Sequence, residues 1–306
     1  MTQHAQQYTH HTVEQAQINF RGRLREADIS TYELDARVLT GFALSLDEIG
    51  LIKHASRIVT EQENKFLEKV CLARLEGKPV SRIIGVKEFY SLPFHISPAT
   101  LDPRPDSECL VDSALNAAEK LAKSKSSSLR VLDLGTGSGC LLIAFAHACK
   151  QRAIKFKGLG VDISANALRQ ARINAAINGV SDSVNFRQGD WFENVSSRFD
   201  IIISNPPYIS SGEIEALAPE VSKYDPKTAL DGGADGLDAY RHIISNIISF
   251  IQPGGCVFFE IGSEQAALVT NLVRQVIIAP PQVSISYVSD FSGFDRVVQV
   301  EFEKNS

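Results

Sequence analysis

The sequence predicts an α/β domain built on a mostly parallel sheet, preceded by a small domain of helices. Three observations support this prediction. Strand and helix signals alternate from Arg130 onward, a glycine-rich turn separates the first of these strands from the next helix, and residues 1–85 instead show amphipathic helical patterns with short polar breaks. Alternating β and α elements imply a mostly parallel sheet with helices on both faces.

The composition is that of an ordinary globular protein. The 306 residues include 31 Lys and Arg against 36 Asp and Glu, giving a net charge of -5, and 44% are hydrophobic. This combination of a small net charge and a high hydrophobic fraction excludes intrinsic disorder. No apolar run approaches the roughly 18 residues of a membrane span, and the polar N-terminus lacks the apolar segment of a secretion signal. Five cysteines without a C-x-x-C pair and seven scattered histidines predict a cytoplasmic protein without a metal site.

Two capping patterns predict helix starts in the N-terminal domain, which we place at residues 1–85. Ser30 and Thr60 each stand three residues before a glutamate, which is the spacing of a capping box. Gly77 and Pro79 are expected to end the helix that begins after Thr60. The domain has 11 basic and 11 acidic residues, so it offers no basic arm for nucleic acid.

Residues 86–102 change to short β-prone pieces that are broken by Ser91 and Pro93, and we expect them to form a hairpin linker. The larger domain, residues 103–306, opens with a helix bearing Leu110 to Leu121. An Ala/Leu-rich helix should follow the glycine turn. The other predicted elements are strands 130–134, 158–163, 184–188, 200–204, 256–261, 283–288 and 296–302 and helices 164–178 and 235–251. No helical pattern separates the last two strands, so we expect them to pair antiparallel.

The glycine turn follows the first strand of the larger domain and consists of Gly135, Thr136, Gly137, Ser138 and Gly139. Glycines let the backbone approach a ligand closely, and the helix N-terminus beyond them offers free N–H groups. A nucleotide-like cofactor is expected there, although a tight structural turn would show the same pattern. The spacing differs from the G-x-G-x-x-G of dinucleotide binders, and the preceding acidic residue, Asp133, disfavours a diphosphate.

Asp162 stands at the end of the next strand, where ligands of open α/β sheets bind. Its carboxylate could accept both hydroxyls of a ribose, and the alternative is an N-cap for the helix after Ser164. Trp191, the sole tryptophan, follows the third strand. By itself, such a residue is more often part of the core than of a site.

The segment Asn205-Pro206-Pro207-Tyr208 follows a buried strand and is the most specific signal in the chain. The two prolines have no N–H, so the carbonyls of this turn stay free to accept, and Asn205 adds a side-chain carbonyl. Such a site can accept both hydrogens of an NH₂ group on a planar amide or aromatic amine. Tyr208 could stack on the planar group and exclude water.

These features together resemble a class I S-adenosylmethionine-dependent methyltransferase that methylates amino groups. The resemblance narrows to the HemK/PrmC family of peptide chain release factor glutamine methyltransferases on three segments: Leu101–Glu108, Asn205–Ile209 and Ala229–Arg241. It covers roughly residues 20–303. The family implies a Rossmann-like seven-stranded sheet with an antiparallel last strand pair, a helical N-terminal domain that recognises the substrate, and a hairpin linker.

The resemblance also implies a role for each motif. Residues Gly135–Gly139 would wrap the methionine part of S-adenosyl-L-methionine, Asp162 would hold its ribose, and Trp191 would lie beside its adenine. Asn205–Tyr208 would hold the substrate amide, with Asn205 also near the cofactor, and S-adenosyl-L-homocysteine would be the product.

The first resembling segment contains two further charged residues that could serve either the cofactor or the linker. Arg104 and Glu108 could lie near the cofactor or could form a structural salt bridge in the linker.

The expected reaction is methyl transfer to the side-chain amide nitrogen (N5) of the glutamine in the Gly-Gly-Gln loop of class 1 release factors. It would be an in-line displacement helped chiefly by alignment, with no dedicated strong base evident. One alternative is glutamine methylation of a ribosomal protein. Another is adenine-N6 methylation of DNA, which would need an electropositive groove that neither domain shows. A dehydrogenase would need another glycine spacing, and a non-catalytic scaffold would leave the tetrapeptide unexplained. We expect a protein substrate, no DNA and no membrane.

Overall fold

The computed structural model describes residues 11–277, 282–290 and 292–304 of the chain. The chain divides after Gly85 into two compact units, residues 1–85 and 86–306. Residues 1–10 of the predicted helical domain lie outside the described residues. Within the described ranges, no helix is both long enough and apolar enough to cross a membrane.

The described part of the first unit consists of helices, namely α1 (Val13–Glu26), α2 (Tyr32–Leu44), α3 (Glu48–Lys53), α4 (Glu61–Leu75) and α5 (Val80–Ile84). The capping box predicted at Thr60 is confirmed, because the Thr60 hydroxyl accepts the Glu63 N–H and the Glu63 carboxylate accepts the Thr60 N–H at 2.9 Å. The cap predicted at Ser30 is wrong. Thr31 occupies the N-cap position of α2, and its hydroxyl donates to the Asp35 carboxylate at 2.8 Å instead of accepting from the backbone.

A two-stranded antiparallel hairpin opens the second unit, with β1 at Val86–Phe89 and β2 at Leu92–His95. Tyr90 and Ser91 form its turn with positive φ angles of 54° and 58°. The break predicted at Ser91 is confirmed, whereas the break predicted at Pro93 is wrong, because Pro93 lies within β2 opposite Glu88. A proline is tolerated in an edge strand, where its missing N–H costs no ladder hydrogen bond.

A seven-stranded sheet forms the centre of the second unit. Its strands are β3 (Leu129–Leu134), β4 (Phe156–Asp162), β5 (Val184–Gln188), β6 (Phe199–Ser204), β7 (Ile251–Glu260), β8 (Val283–Ser289) and β9 (Asp295–Phe302). They are ordered β5-β4-β3-β6-β7-β9-β8. The first five run parallel, whereas β9 is antiparallel to both β7 and β8. The predicted antiparallel pairing of the last two strands is confirmed.

Helices cover both faces of this sheet: α6 (Glu108–Ser124), α7 (Cys140–Gln151), α8 (Ala165–Ile177), α10 (Asp238–Asn246) and α11 (Ala266–Val276). The short helix α9 (Pro219–Ser222) has no buried residue. Successive strand residues point to opposite faces. Ile201 and Ile203 of β6 therefore pack in one core with residues of α6 and α7, while Ile202 packs in the other with residues of α10 and α11. This double burial explains why β6 is apolar along its length.

The structure differs from the predicted elements in two places near the C-terminus. The helix expected to reach residue 251 ends at Asn246 and is followed by a 3₁₀ turn, and Ile251 instead begins β7 opposite Phe199. Helix α11 was not predicted. A short apolar run cannot be assigned to helix or strand by its pattern alone, because tertiary pairing decides between them.

Candidate active site

A cavity of the second unit lies at the carboxyl ends of β3, β4 and β6. Strand β3 is the middle one of the five parallel strands, with β4 and β5 on one side of it and β6 and β7 on the other. The strand order therefore reverses beside β3, and ligands of open α/β sheets bind at such a point. The residues that line the cavity are Ala99, Leu101, Asp102, Pro103, Arg104, Ser107, Gly135, Thr136, Gly137, Ser138, Cys140, Leu141, Val161, Asp162, Ile163, Ser164, Gly189, Asp190, Trp191, Asn205, Pro207, Thr228 and Ala229.

The glycine turn between β3 and α7 forms one wall of this cavity. Gly135, Gly137 and Gly139 have φ angles of 72°, 54° and 80°, which lie in the region that favours glycine. A Cβ at Gly139 would also lie 2.8 Å from a side-chain atom of α7. The N–H groups of Gly135 and Thr136 both donate to the Val161 carbonyl, at 2.9 and 3.0 Å. The turn is thus fastened to the end of β4.

Asp162 ends β4 and is tied to the same turn. Its Oδ2 accepts the Gly137 N–H and its Oδ1 accepts the Ser164 N–H, both at 2.8 Å. The N-cap of α8 is Ser164, whose hydroxyl accepts the Ala167 N–H. Ser164, and not Asp162, therefore caps helix α8. A carboxylate has about four acceptor positions, so Asp162 retains capacity for a ligand, and burial raises its pKa.

Asp133 lies beneath the turn with no exposed surface. Its Oδ2 accepts the Thr136 hydroxyl at 2.6 Å, and its Oδ1 has no hydrogen-bond partner among the described residues. Burial, reinforced by the negative charge of Asp162, raises the pKa of Asp133 to about 7. Two neighbouring carboxyl groups make this wall favourable for a cation and unfavourable for a polyphosphate.

Trp191 also lines the cavity, on the side of the glycine turn. A Cβ on Gly135 would lie 3.6 Å from its ring, and the rings of Trp191 and His242 have centroids 6.4 Å apart. Its φ of 50° is unusual for a bulky residue. The sole tryptophan therefore lies at the site and also packs against the core beside β3 and β4.

The segment Asn205–Tyr208 leaves the end of β6. Asn205 and Pro207 line the cavity, whereas Pro206 and Tyr208 are not among its lining residues in the described part of the chain. The Tyr208 carbonyl accepts the Gln265 side-chain amide at 2.9 Å, and burial raises the pKa of the Tyr208 hydroxyl to about 12. Its phenol therefore remains protonated at neutral pH.

The glycines of residues 229–241 pack directly on the backbone of this segment. A Cβ at Gly232 would lie 2.7 Å from the Pro207 carbonyl oxygen. Gly236 has a φ of 75°, and a Cβ there would be similarly close to the Tyr208 carbonyl oxygen. The Gly232 N–H also donates to the Ile209 carbonyl at 2.8 Å. Two motifs that are separate in the sequence are therefore one structural unit.

Arg104 and Glu108 have different surroundings. Arg104 lines the cavity and pairs with the Asp225 carboxylate at 2.6 Å. Glu108 accepts the Tyr90 N–H at 2.8 Å and so braces the turn of the hairpin. Glu108 thus supports the hairpin linker, whereas Arg104 lies at the cavity.

Two polar residues of this region, Ser107 and Glu260, were not identified from the sequence. Ser107 lies in a lining segment, and its Oγ is 3.4 Å from Asn205 Nδ2. Glu260 ends β7, is 2% exposed, and has a pKa raised to about 7 by burial. Glu260 could have been found in the sequence by its position, because it is, like Asp162, an acidic residue at the carboxyl end of a parallel strand.

Comparisons with known proteins agree with this architecture. Residues 15–85 match the model of the PrmC N-terminal domain, and residues 125–275 match a methyltransferase domain. The chain is 40% identical to the release factor glutamine methyltransferase of Bradyrhizobium diazoefficiens, over 95% of each chain. It is 41% identical to the enzyme of the same name from Agrobacterium fabrum, over 94% of this chain and 96% of that protein.

A solved structure shares the fold at low identity. The hMettl16 catalytic domain, in complex with the MAT2A 3'UTR hairpin 6, is 15% identical and has a TM-score of 0.53, covering 82% of this chain and 86% of that chain. Together with the strand order, these similarities confirm the predicted class I methyltransferase fold.

Proposed function

This chain belongs to the release factor glutamine methyltransferase family, and we propose that it methylates the side-chain amide nitrogen (N5) of the Gly-Gly-Gln glutamine in class 1 peptide chain release factors, in the cytoplasm. The methyl donor is S-adenosyl-L-methionine, and S-adenosyl-L-homocysteine is the product. The observation that carries the proposal is the position of Asn205 and Pro207, which line the same cavity as the glycine turn and Asp162. Donor and acceptor sites are thus adjacent.

The residues of the cavity fit S-adenosylmethionine. The buried carboxyl of Asp133, whose Oδ1 has no hydrogen-bond partner in the described part of the chain, and the adjacent Asp162 favour a ligand with positive charge. Gly135 to Gly139 would hold the amino acid part, Asp162 would accept the ribose hydroxyls, and Trp191 would contact the base. When bound, the cofactor supplies a methyl group on a positively charged sulfur.

Asn205 and the backbone of the proline turn would hold the substrate amide. An amide nitrogen is a poor nucleophile, because its lone pair is delocalised into the carbonyl. Acceptors that take both N–H bonds fix the direction of that lone pair, and most of the rate gain comes from this alignment. Tyr208 is neutral at physiological pH and supports the turn through its backbone carbonyl. Water can accept the proton that the methylated nitrogen releases.

The first unit, residues 1–85, would recognise the folded release factor. A pocket that binds a planar NH₂ group does not by itself distinguish glutamine from adenine, so selection must come from surfaces around it. A short Gly-Gly-Gln peptide should therefore be a much poorer substrate than the intact factor, because it lacks the remote binding energy that positions the amide. Equal kcat/KM values for peptide and factor would contradict this assignment.

Transfer of a labelled methyl group tests the proposed function directly. Purified enzyme and labelled S-adenosylmethionine should label an intact class 1 release factor, and should not label a factor whose Gly-Gly-Gln glutamine is replaced by glutamate. A ribosomal protein preparation and duplex DNA serve as the alternative substrates. Labelling of either one, with none of the release factor, would replace this proposal with the corresponding alternative.

A further inference from the structure

Glu260 is a buried carboxylic acid beside the turn that contains Asn205. Its exposed fraction is 2%, and its Oε2 has no hydrogen-bond partner among the described residues. The register of β6 and β7 pairs Ser204 with Phe259, so Asn205, the first residue after β6, follows in register with Glu260, the last residue of β7. Burying a carboxyl oxygen without a hydrogen bond is costly. Its presence at this position therefore calls for an explanation beyond packing.

Two polar side chains act on Glu260 from the direction of the cavity. Burial raises the pKa of Glu260 to about 7, while hydrogen bonding by the Ser107 hydroxyl and the Asn205 amide lowers it. The Nδ2 atom of Asn205 also lies 3.4 Å from Ser107 Oγ. The nitrogen end of the Asn205 amide is therefore on the side of Ser107 and Glu260.

The orientation of the Asn205 amide matters for the proposed chemistry. Only its Oδ1 can accept a hydrogen from a substrate NH₂ group, since Nδ2 is a donor. The two ends of the amide have nearly the same size, so packing alone does not distinguish one orientation from the other. An ionised carboxylate only accepts hydrogen bonds. It attracts Nδ2 and repels Oδ1, and can thus select one orientation.

We propose that Glu260 is a positioning residue that holds Asn205 Nδ2 on the protein side and so directs Asn205 Oδ1 toward the substrate amide. This inference rests on the proposed function, because it takes the Asn205 oxygen as an acceptor of the substrate NH₂ group. In the described part of the chain, Ser107 and Asn205 line the cavity but Glu260 does not. Glu260 therefore acts through Asn205 and does not contact the substrate.

Other charged and titratable groups interact with Glu260 from the elements around it, namely Asp106, Cys109, Cys140, Tyr208, Tyr240 and Arg296. Among these groups only Arg296 is a cation. It is paired with Asp290 at 2.8 Å and with Asp106 at 3.5 Å. Its charge favours the ionised form of Glu260. Asp106 provides a control, because it is an acidic residue of the same neighbourhood with a largely exposed side chain.

An exchange of donor and acceptor tests the proposal. Asn205→Asp places a second acceptor against Glu260 and should lower kcat by about 100-fold or more. Adding Glu260→Gln supplies a donor opposite that acceptor, so kcat of the double variant should be about tenfold higher than that of Asn205→Asp. A change of this size is typical of residues that orient a group in direct contact with the ligand. Adding Asp106→Asn to Asn205→Asp removes a nearby charge without supplying the donor, and should restore nothing.

A second measurement needs no substrate. With ¹⁵N-labelled asparagine, the Asn205 side-chain NH₂ signals are identified by their loss in Asn205→Ala. In the wild type, the hydrogen-bonded proton of the Asn205 NH₂ group should exchange with water at least about tenfold more slowly than in Glu260→Met. Glu260→Gln, which keeps an acceptor oxygen, should retain most of this protection. Binding of S-adenosylhomocysteine, followed by Trp191 fluorescence, confirms that each variant is folded.

These measurements distinguish a failure of the proposed function from a failure of the role of Glu260. Protection that depends on Glu260, in an enzyme that does not label release factors, would leave Glu260 as the residue that orients Asn205 and would remove the proposed function. Two results, in an enzyme that does label release factors, would overturn the role of Glu260 alone. One is that Glu260→Met leaves the Asn205 signals unchanged, and the other is that Glu260→Gln does not rescue Asn205→Asp.

Discussion

The carboxylate of Asp162 accepts the backbone N–H of Gly137 at 2.8 Å, so the residue that ends β4 is tied directly to the turn that follows β3. The turn and the carboxylate thus form one preorganised wall. Neither strand alone would supply both the close backbone approach and the acidic group. The parallel register that pairs Leu134 with Val161 brings them together.

Replacement of Asp162 by alanine should therefore weaken cofactor binding. We expect a loss of about 1.5 to 3 kcal/mol, the range for hydrogen bonds to a charged group. Titration with S-adenosylmethionine or S-adenosylhomocysteine, followed by the fluorescence of the sole tryptophan, Trp191, measures it. Ser164→Ala is the matched control, because it removes the α8 cap at a cost of about 1 kcal/mol of stability but keeps the carboxylate. An unchanged affinity in Asp162→Ala would reduce Asp162 to a structural residue.

Replacement of Asn205 by alanine should abolish turnover and affect cofactor binding much less. In the proposed mechanism the lost carbonyl accepts the substrate NH₂ group, so kcat should fall by about 100-fold or more. Cofactor affinity, measured by Trp191 fluorescence, should change by only a small factor. Asn246→Ala, at an exposed position of α10, should leave both quantities unaltered. Full activity of Asn205→Ala would contradict the amide-holding mechanism.

Gly232→Ala should lower activity without touching either ligand. Its Cβ would lie 2.7 Å from the Pro207 carbonyl oxygen, so the proline turn must shift. A displacement of about 1 Å at a reacting group can cost about 100-fold in rate. Gly212→Ala is the control, because a Cβ there meets no heavy atom within 4 Å and its φ is not positive. Equal kcat values for the two variants would show that the turn tolerates the shift.

The buried carboxyls of Asp133 and Glu260 should make stability depend on pH. Burial raises both pKa values to about 7, so the folded state binds more protons than the unfolded state between the unfolded values near 4 and pH 7. Stability of the wild type should then fall as pH rises through this window. Glu260→Gln and Asp133→Asn should each gain on the order of 1 to 3 kcal/mol relative to the wild type at pH 8. Melting temperatures between pH 5 and pH 8 measure this, and a difference independent of pH would contradict it.

The sequence predicted most of the sheet because its strands carry two kinds of signal. Strands β3, β4 and β6 are largely apolar, whereas β5 alternates apolar and polar residues at its start. These four strands are followed or ended by glycine, acidic residues or Asn-Pro, and residues of the candidate site lie at those ends. The beginning of β7 had no such signal. Its first residue, Ile251, continues the apolar pattern of α10, and only pairing with Phe199 makes it a strand.

The site residues that the sequence did not reveal have roles that depend on tertiary contacts. Glu260 is an ordinary acidic residue in the sequence, and its importance arises from burial beside Asn205 and Ser107. The cap at Thr31 illustrates the same limit. Ser30 has the better sequence spacing, but the chain enters α2 one residue later, where the Thr31 hydroxyl binds Asp35.

The central claim is that the enzyme places a methyl group on a glutamine amide nitrogen held at Asn205. Fragmentation mass spectrometry of an intact class 1 release factor, after incubation with enzyme and S-adenosylmethionine, tests it most directly. We expect the wild type to add one methyl group to the side-chain nitrogen of the Gly-Gly-Gln glutamine, and Asn205→Ala to add none. Methylation at another residue, or the same modification by Asn205→Ala, would contradict it.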